Sequence, residues 1–350
     1  MQHTRSPFRP IPDICKEVQE ETRKHMNQLT KPTGSLGCLE ELVIRLAGIT
    51  GEKIPDVSRK AVVVMCGDHG VAREGVSAYP QEVTGLMIHN FVRGGAAVNV
   101  LARQANAEVH VVDVGSLLAE VPEGVINRKV RLGTDNFAER PAMSEEEATE
   151  AIRAGIEIVG QLRQKGVQLL AVGEMGIGNT TAGTAIAAAL TGQPAAALTG
   201  TGTGIRQEGL QRKIRVIEQA LEKHRLSAER PLDVLSKVGG LEIAGMVGCF
   251  IGAAQERIPA VMDGLISTAA ALIAVKLDPK VLPYLFASHL SVEPGHRVLL
   301  DALGLEPLLH ARMRLGEASG AALSFPIFDA AVAIAREMAT FADLGLPDPE

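Results

Sequence analysis

Tryptophan is missing from the 350 residues, and only two tyrosines and eight phenylalanines supply aromatic rings. So few flat rings leave little on which nucleic-acid bases could stack. Positive charge is also short: 35 Lys and Arg against 41 Asp and Glu give a formal net charge of −6. That balance lacks the basic field that tracking a phosphate backbone requires, so a nucleic-acid partner is not expected. Cysteine is scarce, and Cys15, Cys38, Cys66 and Cys249 form neither a C-x-x-C pair nor finger spacing. This excludes a disulfide framework and fits reduced thiols in a cytoplasmic protein. Long apolar runs are lacking too. The most apolar late segment, 264–277, is broken by Ser267, Thr268 and Lys276, which argues against a membrane span. The polar opening stretch Met1–Asp13, with its prolines, does not read as a signal peptide. A soluble cytoplasmic globule is the expectation.

What is present is aliphatic. Hydrophobic residues are 46% of the chain although aromatics are 3%, so the core falls to Ala, Val, Ile and Leu, which suits a parallel sheet covered by helices. The length allows one large domain or two unequal ones. Residues 15–50 read as helical, broken at Thr30–Glu40, where Pro32 and Gly34 make a turn and Ser35 is placed to cap the next helix. Short β-branched runs ending in polar loops follow at 61–70, 108–115, 167–176, 258–265 and 284–291. Alanine-rich helical patterns lie between them, at 83–105, 144–165, 180–190, 207–224 and 267–276. Strand, loop and helix in repetition predict βαβ units, hence an α/β fold with a parallel sheet. Ligands of such sheets bind beyond the carboxyl ends of the strands, which places Asp68, His69, Asp113, Glu174, Asp263 and His289 along one rim. From about His296 the chain returns to helix, expected to pack with the N-terminal helices.

Two loops stand out. In "VGEMGIGNTTAGTAIAAAL" (172–190) a strand runs into glycines and Asn179-Thr180-Thr181 opens a helix. The free amides and positive end of such a helix suit a phosphate or carboxylate, although an ordinary capped turn has the same spacing. "LTGTGTGIRQEG" (198–209) exposes a run of amides, with Arg206, Arg212 and Lys213 behind it. It reads either as an anion loop or as a mobile linker. Neither loop is a P-loop, and Gly200, Gly202 and Gly204 lack the last glycine of a dinucleotide fingerprint. Asp68 and His69 stand side by side without a second pair at ligand spacing, so no metal is expected. No nucleophile elbow occurs.

Six blocks, in order along nearly the whole chain, resemble one family. They are "LTKPTGSLGCLEEL", "VVVMCGDHGVAREGVSAYP", "VGEMGIGNTT", "DVLSKVGGLEIAGMVG", "PAVMDGLISTAAAL" and "RMRLGEASGAAL". The family is the nicotinate-nucleotide–dimethylbenzimidazole phosphoribosyltransferases, which make the lower-ligand nucleotide of cobamides. The resemblance implies a three-layer Rossmann-like parallel-sheet domain at 61–290 that carries the nucleotide. A smaller helical domain, 1–60 with 291–350, would close the site, and the protein would be a homodimer. It implies that an azole-type base displaces nicotinate from nicotinate mononucleotide, with no cofactor. Glu317 falls on the family's proton acceptor. Glu174, Gly176, Gly178, Asn179, Thr180, Thr181 and Gly202 fall on its nucleotide region, with Lys213 as charge partner. The base would meet Tyr79, Met87, Met175 and Leu315. Some members carry Ser and Gln where this chain has Tyr79 and Met87, so the match supports the reaction better than it supports one particular base.

The residues make sense of that chemistry. Nicotinate leaves from an N-glycosidic cation, so neither pyrophosphate nor magnesium is required, and no strand ends in the paired acids and Thr-Gly loop of pyrophosphate-dependent enzymes. The attacking ring nitrogen has a lone pair, while the proton on the other nitrogen turns acidic as the bond forms. A carboxylate can accept it or stabilise charge growing on the ribose carbon. Glu317 is the one acid between Leu315 and Phe325, set among Gly316, Ala318, Ser319 and Gly320. Small neighbours let a ligand approach; the alternative is a structural ion pair with Arg314. A hydrolase or phosphorylase using the same loops, and a non-catalytic nucleotide-binding module, are the competing functions.

Overall fold

The computed structural model describes residues 8–347, so the first seven residues of the opening stretch lie outside it. Five of its six strands come from the β-branched runs. They are β1 (Lys60–Gly67), β2 (Ala107–Gly115), β3 (Ile126–Asn127), β4 (Leu169–Met175), β5 (Ala260–Met262) and β6 (Leu285–Ala287). All pair in parallel, in the order β3-β2-β1-β4-β5-β6. Every residue of β1 and β4 is buried. A strand covered on both faces needs apolar side chains throughout, which is why these read as continuous runs and not as alternations.

The two covers are distinguishable by register. Val64 pairs with Gly173 and Met65 with Glu174, so Gly173 and Met65 point to opposite faces. A Cβ on Gly173 would strike the backbone of Ala318, at the start of helix Ser319–Glu337, whereas one on Gly245 of helix Leu241–Gln255 would meet Met65 Sδ. Helix, sheet and helix make three layers, as expected.

Helix Leu241–Gln255 lies against helix Glu145–Gln164 almost backbone to backbone. A Cβ on Gly155 would sit 2.1 Å from Gly245 O, and one on Gly248 1.9 Å from Ile152 O. Only glycine permits that approach. Helix Glu145–Gln164 starts on a capping box, with Ser144 Oγ accepting from Glu147 N while the Glu147 carboxylate accepts from Ser144 N.

Two local expectations change. Ser35 does not cap the helix Cys38–Thr50; Gly37 occupies that position, and Glu40 turns back to accept from Leu36 N. The pattern at 83–105 is two helices, Val83–Val92 and Ala97–Gln104. Gly94 takes φ 76° between them, and Asn99 Oδ1 accepts from Ala96 N to start the second.

Residues 25–30 and 335–341 meet. Phe341 N donates to Gln28 O, Thr30 N donates to Ala339 O, and the His25 ring bonds Ala335 O. Helix Ser319–Glu337 packs on Cys38–Thr50 and also on β4. Its length, 19 residues at a mean hydropathy of 1.2, meets the requirement for a membrane span, which the shorter 264–277 segment does not. Ten of its residues, Phe325 and Phe328 among them, are buried in the protein core.

Candidate active site

The strand order reverses its direction of growth between β1 and β4, and a cleft opens beyond their carboxyl ends, where α/β sheets bind ligands. Its cavity volume is about 320 Å³. β4 ends in Glu174 and Met175 and hands on to Gly176 and Ile177, after which helix Asn179–Thr191 begins. Ile177 N is taken by Thr84 Oγ1 at 3.1 Å, which fastens this turn to helix Val83–Val92. Gly178, at φ 99°, makes the bend; Thr181 is fully buried beneath it.

Glu174 is buried, and Asn179 Nδ2 donates to its Oε2. Burial, then the negative charges of Glu242, Asp263 and Glu317, push its carboxyl well above the usual range.

Glu317 enters from the opposite wall, on a turn of three successive left-handed residues: Gly316 at φ 84°, Glu317 at 63° and Ala318 at 61°. Glycine adopts this freely, but each of the other two costs about 1–3 kcal/mol, tolerated where the surroundings over-determine the turn. They do so here. Ser319 Oγ and N both donate to Gly316 O, at 2.6 and 3.0 Å. Asp263 Oδ1 accepts from Gly320 N at 2.8 Å and Ala321 N at 3.1 Å, a carboxylate on the positive end of helix Ser319–Glu337. Glu317 is thus held at the mouth of a helix, only 7% exposed. Burial, and second the charge of Asp263, lift its pKa to about 7; burial lifts that of Asp263 to about 7 despite its amide bonds. Arg314 does not pair with Glu317. Its Nη1 donates instead to Gly202 O at 2.8 Å.

The Gly-Thr loop is tied down on several sides, which removes the mobile-linker alternative. Gly202 N donates to Glu293 Oε1 at 3.0 Å, Ala78 N donates to Thr203 Oγ1 at 3.0 Å, and Lys213 Nζ reaches Gly200 O at 3.3 Å. Lys213 is fully buried and also donates to Thr180 Oγ1 at 2.9 Å, joining both glycine loops from beneath. Burial lowers its pKa to about 8, with Glu293 opposing the shift. Arg206 and Arg212 stay exposed.

Of the residues expected at the site, Glu317, Glu174, Gly176, Asn179, Thr180, Gly202, Tyr79, Met175 and Leu315 line this one cleft. Gly178, Thr181 and Lys213 lie behind its wall. Met87 is half-buried one helical turn beyond the lining residue Val83 and does not itself line the cleft. Glu293, Ser291 and His289 also line it and were not singled out for the site from the sequence, except that His289 was placed on the rim. His289 is held neutral by burial, its pKa lowered to about 4. The rim residue His69 bonds Glu242 at 2.6 Å, and both are fully buried. Among the described residues no three His, Cys, Asp or Glu stand together so as to hold a metal ion.

A Rossmann-ordered sheet with two glycine loops facing a buried carboxylate across one cleft defines the class: an α/β enzyme whose cleft suits an anionic ligand beside an acid–base group. Comparison with known proteins narrows it. A family model described as phosphoribosyltransferase matches residues 11–346. The nicotinate-nucleotide–dimethylbenzimidazole phosphoribosyltransferase of Halalkalibacterium halodurans is 50% identical over 346 residues, 99% of this chain and 97% of that one. The enzyme of the same name from Desulforamulus reducens is 54% identical over 329 residues, 93% and 94% of the two chains. Its solved namesake from Thermus thermophilus superposes with a TM-score of 0.90 at 47% identity, covering 96% of this chain and 100% of that one. The chain belongs to the nicotinate-nucleotide–dimethylbenzimidazole phosphoribosyltransferase family.

Proposed function

We propose that the protein transfers the 5-phosphoribosyl group of nicotinate mononucleotide to 5,6-dimethylbenzimidazole or a related base. The products are the α-riboside 5′-phosphate and nicotinate, for the nucleotide loop of cobamides. One observation carries the reading: a buried carboxylate with a pKa of about 7 and two glycine loops backed by a buried lysine share a single cleft. The nucleotide phosphate goes to the Gly176–Thr180 turn and the Gly202 region, with Lys213 supplying charge from beneath. The base lies against Tyr79, Met175 and Leu315, and Met87 supports that wall from one layer back.

The base nitrogen's lone pair attacks the ribose carbon as the bond to nicotinate breaks, and the bonding pair leaves with the pyridine nitrogen, neutralising its positive charge. The other ring nitrogen gives its proton to Glu317. Holding two substrates in line contributes alongside this proton transfer. Segments 1–60 and 291–350 close the cleft over the sheet, a division supported by Arg314, Leu315 and Glu317 entering from the second of them. The protein works as a cytoplasmic homodimer, a reading supported by the family resemblance and by the exposed apolar side chain of Leu86.

The test is to incubate the protein with nicotinate mononucleotide, with and without 5,6-dimethylbenzimidazole. Nicotinate released only in the presence of base, with stoichiometric riboside phosphate, is expected. Release without base would make it a hydrolase, and ligand-stabilised melting without turnover would make it a binding module.

A further inference from the structure

Two side chains grip the N–H and the C=O of one residue in the Gly-Thr loop, and so hold the two peptide units that flank it. Gly202 N donates to Glu293 Oε1 at 3.0 Å, and Gly202 O accepts from Arg314 Nη1 at 2.8 Å. Both grips come from one support, because Val292 N donates to Met313 O at 3.1 Å and so fastens the residue before Glu293 to the residue before Arg314. Glu293 is buried, and its second oxygen has no protein partner; a Cβ on Gly200 would lie 2.1 Å from that oxygen. The carboxylate is therefore pressed into the loop and not turned to water. Gly202 itself sits at φ 52°, a conformation the two bonds hold in place.

The support continues from Arg314 through Leu315 and Gly316 to Glu317, all lining the cleft. Displacement of the Gly202 peptide by a phosphate thus pulls on the turn that carries Glu317, and displacement of that turn pulls on the peptide. On the other side, Thr203 accepts from Ala78 N, next to Tyr79. The nucleotide loop is mechanically joined to both walls of the base subsite.

We propose that Arg314 and Glu293 are positioning residues that couple the two substrates, so that nucleotide bound at the Gly-Thr loop tightens binding of the base, and the reverse. The inference rests on the reading that this loop holds the nucleotide. Coupling of this kind is reciprocal, and a value of about tenfold is typical of linked sites.

An initial-rate grid of nicotinate mononucleotide against benzimidazole measures the interaction factor directly. Each substrate is expected to lower the other's dissociation constant about tenfold in the unmodified protein. Arg314→Met should bring the factor to within about twofold of unity and raise both KM values by more than it lowers kcat, while Arg314→Lys, which keeps a donor, recovers part of the coupling. Glu293→Gln keeps an acceptor for Gly202 N and should preserve the coupling that Glu293→Ala loses. Independent substrates in the unmodified protein, or coupling intact in both Arg314→Met and Glu293→Ala, would overturn the proposal. A Lys213→Met variant separates the two readings. If it leaves the nucleotide KM unchanged, the placement of the nucleotide has failed; if it raises that KM while Arg314→Met leaves coupling alone, only the clamp has.

Discussion

At the scale of single residues, the site depends on charge held where water is scarce. Glu317 and Asp263, both with a pKa of about 7, titrate as neighbours. Only ionised Glu317 accepts a proton, so kcat/KM for the base should rise with pH through about 7. Glu317→Gln should lower turnover by about two orders of magnitude and flatten that limb. The loss should be smaller for a base already deprotonated at the assay pH, and equal losses for both kinds of base would make Glu317 a shaping residue only. The same shift has a stability consequence of definite sign. The folded carboxyl titrates above its unfolded value of 4.5, so its favourable contribution is full below about 4.5 and is lost as pH rises through about 7. Denaturation at pH 5 and at pH 8 should therefore show Glu317→Gln gaining stability relative to the unmodified protein at the higher pH. Lys213 gives the complementary limb. With a pKa of about 8, it loses its charge above that pH, so the nucleotide KM should rise there. Lys213→Met should raise that KM throughout, more than the KM of the base, and remove its pH dependence.

At the scale of elements, most of the architecture was legible because parallel strands and amphipathic helices announce themselves by composition. β3, two residues long, has no pattern to announce. Helix Leu241–Gln255 is buried at every position, so it presents no polar stripe to mark a helical period. Gly94-Gly95 broke a helix that the alanine-rich pattern carried straight through. The close approach of helices Glu145–Gln164 and Leu241–Gln255 shows what the glycines of the second helix do. Gly248→Ala would place a methyl 1.9 Å from Ile152 O, where backbone alone can yield. Overpacking of that kind costs about 1–3 kcal/mol, read as a lower urea midpoint at unchanged slope. Gly160, on the same pair but with nothing within 4 Å, is the control. Gly160→Ala should stabilise the helix by a few tenths of a kcal/mol to about 1 kcal/mol.

At the scale of the whole molecule, the cleft gathers residues from Tyr79 to Glu317, more than two-thirds of the sequence apart. The strand-end rule placed Glu174, Asp263 and His289 on one rim because strand ends in a parallel sheet share a side. Glu293 and the partner of Arg314 were not legible. An acid before proline at a helix start reads as an ordinary first-turn residue, and nothing local ties it to a glycine 91 residues away. The proposed base wall, with its two departures from the family pattern, carries the last prediction. Tyr79 is 55% exposed and Leu315 55% exposed at the cleft mouth, so both can shift with the outline of a ring. Met87, one layer back, is flexible and polarizable, and offers no amide to hydrogen-bond the base. Methyl groups meeting adaptable apolar walls are discriminated weakly, at the low end of about tenfold for each, so the two methyls of 5,6-dimethylbenzimidazole come to roughly 10–100-fold. Benzimidazole and 5,6-dimethylbenzimidazole should therefore both be substrates, with a competition ratio inside that range. Tyr79→Ala should shift the ratio more than Met87→Ala does, since only Tyr79 lines the cleft. A preference above about a thousandfold for either base would require a specific polar contact that this wall does not contain, and would count against an adaptable pocket.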